Sequence, residues 1–102
     1  MGCRKAQQLS LAQLGKRIRL AAKDSANVVL TDHAVKRMKA RGITNLEVMC
    51  VLREGTIRRV PEESADGESL ECRMERYVAG RDLAVVVAIS DEDPDVVVVT
   101  TF

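Results

Sequence analysis

The sequence predicts an α+β fold: N-terminal helices packed on a twisted antiparallel β-sheet of about four strands. Three observations carry this. Up to Glu54 the apolar residues recur mainly at steps of three and four, and from Thr56 onward the period falls to two. The change happens once, so a run of helices is followed by a run of strands, the order of α+β rather than of alternating α/β units. Hydrophobic residues make up 46% of the 102 residues and aromatics only 2%. That is enough for an aliphatic core of Val, Leu, Ile, Met and Ala in one domain, without disulfides or metals.

The elements follow in order. Leu11, Leu14, Ile18 and Ala21 or Ala22 predict a helix over 9–23, with Ser10 as a cap near its start. Lys16, Arg17, Arg19 and Lys23 load its later turns, which suits the helix dipole. Gly15 in its middle weakens it by about 1 kcal/mol relative to Ala. Asn27 to Leu30 reads as a short strand. Thr31 or Asp32 caps a second helix that runs from His33 to Ala40 or Arg41, and Gly42 stops it. In the stretch ITNLEV, Thr44 is an N-cap and Glu47, three positions on, closes a capping box. Ile43 and Val48 stand at the positions of a hydrophobic staple. Gly55 is expected to end that third helix as a C′ glycine.

Thr56 to Val60 is the next strand, followed by a loop over Pro61 to Ser69 with turn chemistry. Leu70, Cys72 and Met74 alternate with Glu71, Arg73, Glu75 and Tyr77, the mark of a half-buried antiparallel strand. Ala79-Gly80-Arg81-Asp82 supplies a hairpin turn. Leu83 to Ile89 is continuously apolar, which predicts a central strand covered on both faces. Ser90 to Asp95 is an acidic turn, and Val96 to Thr101 is the last strand. The domain division expected is an N-terminal helical extension over 1–26 and a single α+β domain over 27–102.

Composition narrows the function. The net charge is +1, but residues 1–60 hold 13 Lys/Arg against 4 Asp/Glu, and residues 61–102 hold 3 against 11. Such a split fits a basic face for a polyanion, or two halves that pair their charges. Two aromatic residues are too few for a stacking platform along a run of single-stranded bases. Cys3, Cys50 and Cys72 are odd in number and widely spaced. With no CxxC and one histidine, they predict neither a disulfide framework nor a zinc site. Cys50 and Cys72 both fall on apolar faces, which argues for packed thiols and against a nucleophile. The signatures GxGxxG, GxxxxGK[ST] and HExxH are absent, so no cofactor and no metal is expected. The longest apolar runs are too short to cross a bilayer, and residues 1–8 lack the apolar core of a signal peptide. A reduced, cytoplasmic protein with no membrane partner is the expectation.

What remains for chemistry is His, Arg, Lys and Tyr. On a helical wheel at about 100° per residue, His33, Arg37 and Arg41 fall within about 80° of one another, beside Ala34 and Met38. That basic stripe borders the buried face, where a charge is both positioned and partly desolvated. Arginine forks grip phosphate oxygens, and histidine moves protons near neutral pH. Metal-free RNA cleavage needs those roles. Arg73, Glu75 and Tyr77 share one strand face and form a second group, with Arg58 and Arg81 near strand ends. His33, Arg37, Arg41, Arg73 and Tyr77 are the candidate catalytic residues. A solvated charged face is the plain alternative for both groups.

VVLTDHAVKRMKARGITNLEVMCVLREGTI, from Val28 to Ile57, resembles the opening of the family called domain of unknown function 4258. Thr31, His33, Ala34, Arg37, Arg41, Gly42, Ile43 and Gly55 stand at the matching places. GRDLAVVVAISDEDPDVVVVTTF resembles that family's closing hairpin. The family is similar in layout to RelE/BrnT-like toxins, small mRNA endonucleases that pair with antitoxins. The resemblance implies a RelE-like fold, RNA as a partner, a metal-independent endoribonuclease activity and a cognate antitoxin or other protein partner. The extra N-terminal helix would then serve a homodimer or partner docking, and the acidic second half argues against ribosome binding. The competing expectation is a non-catalytic protein–protein interaction module on the same fold, such as a mobile-element or phage accessory protein.

Overall fold

The computed structural model describes residues 10–63, 69–78, 80–90 and 96–101. Cys3, Phe102, most of the acidic turn before Val96 and the tip of the loop after Glu63 lie outside the described residues. The helices are α1 (Leu11–Ala22), α2 (Asp32–Arg41) and α3 (Asn45–Glu54). A single turn of 3-10 helix (Ser25–Asn27) leads from α1 into β1 (Val28–Leu30). The remaining strands are β2 (Thr56–Ile57), β3 (Glu62–Glu63), β4 (Leu70–Val78), β5 (Arg81–Ile89) and β6 (Val96–Thr101). The architecture is α+β, as the change of period requires.

The sheet has six strands where about four were expected. Its order is β1-β6-β5-β4-β2, with β3 also paired to β4. The additional strands are short: β1 joins the edge of the sheet, and Glu62–Glu63 pairs with Leu70–Glu71 inside what the sequence presents as loop. The sheet is also not purely antiparallel. Val28, Val29 and Leu30 run parallel to Val96, Val97 and Val98. Both segments are plain apolar runs, and nothing in such a run encodes the direction of its partner.

The β4–β5 hairpin is tighter than the four-residue turn that its composition suggests. Val78 pairs with Arg81, so Arg81 and Asp82 already belong to β5. Gly80 has φ 85°, the positive value that a two-residue hairpin loop needs. β5 is central, with β4 and β6 as its neighbours. Leu83, Val85, Val87 and Ile89 are buried, but Val86 and Ala88 on the other pleat are only partly so. The expected cover on both faces is therefore incomplete.

One core holds the chain together. Leu14, Ile18 and Ala22 of α1, Ala34 and Met38 of α2, and Val48, Val51 and Leu52 of α3 join one hydrophobic cluster. They meet the inward pleat of the sheet at Leu70, Cys72, Met74, Val85, Val87, Val96 and Val98. Ile18 is 0% exposed, so truncating it to Ala would cost about 2–5 kcal/mol. α1 is thus part of the same core as the rest. Its apolar stripe is taken up within its own chain, and Leu11 and Leu20 are what it leaves exposed.

Both capping boxes are formed. Ser10 accepts from the Gln13 amide and Thr44 from the Glu47 amide, and the Gln13 and Glu47 side chains accept from the cap amides in return. Gly42 takes φ 65° as a left-handed stop to α2. Gly55 does not: its φ is −78°. A Cβ there would lie 2.4 Å from the Val51 carbonyl oxygen and 2.9 Å from that of Glu75. Close approach of the α3 and β4 backbones, rather than a positive φ, makes this position glycine.

Candidate functional site

Several arginines have structural tasks, and sorting them out exposes the site. Arg19 Nη1 donates to the Gly55 carbonyl at 3.0 Å, and Arg53 Nε donates to the Ala22 carbonyl at 2.7 Å. Each therefore closes the C-terminal end of the other's helix, where carbonyls lack helical partners and the dipole favours a cation. Arg76 donates to the Glu54 carbonyl at 3.2 Å and pairs with the Glu54 carboxylate at 3.0 Å. Arg81 donates to the carbonyls of Arg41 and Gly42 at 3.0 and 2.7 Å, and meets Glu47 Oε1 at 3.3 Å. Arg17 donates to the Ser90 carbonyl. Arg81, a candidate from its place at a strand end, thus closes α2.

The α2 stripe is placed by Thr31. Its hydroxyl accepts from the Ala34 amide at 3.1 Å, capping the helix, and donates to the Val98 carbonyl at 2.9 Å. A bulge in β6 lies at this point: Val87 pairs with Val98, but Val86 pairs with Thr100. One hydroxyl thereby ties the start of α2 to the irregular part of β6. Beyond it Ala34 and Met38 are buried, Arg37 is half-buried, and His33 and Arg41 are exposed. The trio does border the core face, as the wheel requires.

The second group lies elsewhere. Arg73, Glu75 and Tyr77 project from the pleat of β4 that stays outside the hydrophobic cluster. Asp82 and Ala84 of β5 face them, since Tyr77 pairs with Asp82 and Glu75 with Ala84. With Arg58, Arg76 and Leu83 these residues line a concavity of about 290 Å³. Arg73 Nε lies 3.5 Å from Glu75 Oε2, and Arg59 Nε lies 4.0 Å from the same oxygen. The Glu75 side chain is 21% exposed and that of Arg73 30%, so this pair sits low in the concavity. Tyr77 is 66% exposed and stands at its surface.

His33, Arg37 and Arg41 do not line this concavity. α2 packs mainly on β6, with β5 between β6 and β4, and it meets β5 at its C-terminal end, where Arg81 bonds the Arg41 carbonyl. The structure brings Arg73 and Tyr77 together with Arg58 and keeps the α2 trio apart from them. Asp82, which its composition places in a turn, belongs instead to β5. Gly80 is the signal for it: a two-residue loop centred there puts Asp82 opposite Tyr77.

Other chemistries find little purchase. Burial pushes the Cys72 thiol up to about 11, against which the nearby Arg17 acts only weakly, so at neutral pH it is an unreactive core thiol. Among the described residues no three of His, Cys, Asp and Glu are grouped so as to hold a metal ion. No described helix is long and apolar enough to cross a membrane.

Comparison with known proteins gives one result. A family model described as a domain of unknown function (DUF4258) matches residues 30–102. The match begins at the end of β1 and includes the Thr31 cap, the α2 stripe and the whole concavity. No curated protein and no solved structure matches.

Proposed function

The chain belongs to the DUF4258 family, and with that as premise we propose that it is a toxin-like RNA-binding protein that takes RNA on the open face of its sheet. The observation that carries this is the concavity itself, which is lined by two arginines, Arg58 and Arg73, and by the exposed Tyr77. Arginine forks bind phosphate in two-point fashion, and a tyrosine face stacks on a base. Few other ligands ask for both within so small a space. A volume of about 290 Å³ lies near roughly 300 Å³, the lower bound of small-ligand pockets. It suits one unstacked nucleotide and not a duplex.

The sequence resemblance to RelE/BrnT-like toxins supports RNA over other polyanions. In its stronger form the proposal includes cleavage without a metal: the ribose 2′-oxygen attacks the phosphorus held by Arg73 and the bond to the 5′-oxygen breaks, with Glu75 accepting the 2′-hydroxyl proton and water protonating the departing oxygen. A protein partner that covers this face would then act as the antitoxin. The α2 stripe lies outside the concavity, so the proposal gives His33, Arg37 and Arg41 no contact with the bound nucleotide and no proton transfer there.

The test is direct. Purified chain is titrated into a labelled single-stranded oligoribonucleotide and followed by fluorescence anisotropy. Arg73→Ala and Tyr77→Leu should each weaken binding about tenfold, since stacking on one aromatic ring contributes about 1–3 kcal/mol. His33→Ala should change it less. Absence of binding, or binding indifferent to Arg73 and Tyr77, overturns the proposal. Total RNA incubated with the chain in chelator separates the two forms: fragments that disappear with Tyr77→Leu indicate an endoribonuclease, and intact RNA indicates a binder alone.

A further inference from the structure

Two carboxylates line the concavity: that of Glu75 lies against Arg73 and Arg59, and that of Asp82 is the group that RNA binding in general does not need. Asp82 is exposed and stands directly across from Tyr77 in the β4–β5 register. Residues so paired have Cβ atoms about 5 Å apart on one face of the sheet. A carboxylate-bearing residue thus stands opposite the exposed tyrosine of the concavity on the same face. For phosphate binding it is a disadvantage, because it repels the backbone that Arg58 and Arg73 would attract. For a base it is different. A base stacked on Tyr77 brings its hydrogen-bonding edge toward that carboxylate.

The four bases differ in what they offer there. A carboxylate accepts only, through two oxygens side by side. Guanine presents two adjacent donors on its Watson–Crick edge, the ring N1–H and the exocyclic amino group. Adenine and cytosine present an amino group next to an acceptor, and uracil one N–H between two carbonyls. Only guanine fills both oxygens at once without setting an acceptor against a negative charge, and paired charge-assisted bonds are the strong ones. The tight hairpin supports this, because the two-residue loop at Gly80 leaves little room for Asp82 to change its position relative to Tyr77.

We infer that the concavity is a guanine-selective nucleotide site, in which Tyr77 stacks the base, Asp82 accepts from its N1–H and amino group, and Arg58 and Arg73 hold the adjoining phosphate. The inference rests on the RNA-binding proposal and names the base that the site takes.

The experiment compares short oligouridylates carrying one central guanosine, adenosine, cytidine or inosine, by anisotropy. Inosine keeps N1–H and lacks the amino group. The wild-type chain should bind the guanosine oligomer about tenfold tighter than the others, the discrimination typical of a two-point base contact. Asp82→Asn should abolish that preference. Tyr77→Leu should weaken all four oligomers. Equal binding of all four by the wild type overturns guanine selectivity and leaves RNA binding standing. A guanine preference that survives Asp82→Asn overturns the role of Asp82. No binding of any oligomer overturns both this inference and the proposal beneath it. Asp82 and Tyr77 are both exposed, so neither substitution removes a core contact.

Discussion

Gly55 shows how a single residue couples the helical layer to the open face. It stands where α3 ends and β2 begins, and a Cβ would press on the carbonyl oxygens of Val51 and Glu75 at 2.4 and 2.9 Å. Both contacts are backbone, so neither can be relieved by turning a side chain. Gly42 presents the opposite case: nothing lies within 4 Å of its Cβ position, and only its φ of 65° resists substitution. Gly55→Ala should therefore lose about 1–3 kcal/mol through overpacking, and Gly42→Ala about 1–2 kcal/mol through backbone strain. At roughly 4–8 °C per kcal/mol for a domain of this size, thermal melts monitored by circular dichroism resolve the two. Gly55→Ala should also weaken ligand binding at the concavity, because the displaced carbonyl belongs to Glu75; Gly42→Ala should not. A Gly55→Ala chain as stable as the parent would mean that β4 shifts away at little cost.

At the level of elements, the junction of α2, α3 and β5 is a small electrostatic assembly. Glu47 closes the capping box of α3, and Arg81 joins its carboxylate to the C-terminal carbonyls of α2. The Thr44 amide bond, followed by the charge of Arg81, holds the Glu47 carboxyl below its usual 4.5. A carboxyl depressed in the folded state stabilises the fold above its unfolded value, and that contribution is lost as pH falls through the lower folded value. The melting temperature of the wild type should thus decline on acidification below about 4.5 more steeply than that of Glu47→Gln, which keeps the box but cannot titrate. Superimposable acid limbs would sink this assignment. The α3 box was fully legible in ITNLEV, since every partner lies within five residues. So were all three helices, from their apolar spacing. Arg81 was not, because its partners at Arg41, Gly42 and Glu47 are remote in sequence. The same limit hid the parallel β1–β6 pairing and the reason for Gly55. Local chemistry is written in the order of residues, and the choice of distant partner is made by packing.

For the molecule as a whole, charge is the quantity to follow. The first sixty residues are strongly basic and the rest acidic, and among the described residues the ion pairs that join the two parts include Arg59 with Glu75, Arg76 with Glu54, and Arg81 with Glu47. In the last two the cation comes from the acidic part, so these pairs do not cancel the split. Much of the arginine is consumed by helix ends instead, which composition cannot foresee. Arg58 and Arg73 are the guanidinium groups that the concavity offers away from those ends. This sets a number on the binding reaction. Single-stranded nucleic acid releases about 0.7 counterion per phosphate neutralised, so two phosphate contacts predict a slope of about −1.4 for log affinity against log salt. Arg58→Ala should bring the slope to about −0.7, while Tyr77→Leu and Asp82→Asn should lower affinity or selectivity with the slope unchanged, because neither touches phosphate. A much steeper wild-type slope that falls on substituting Lys36, Arg37 or Lys39 would instead locate the phosphate path along α2. The open face would then be a specificity pocket beside a larger basic surface, and the two groups of residues recognised in the sequence would serve one strand of RNA from two sides of β6.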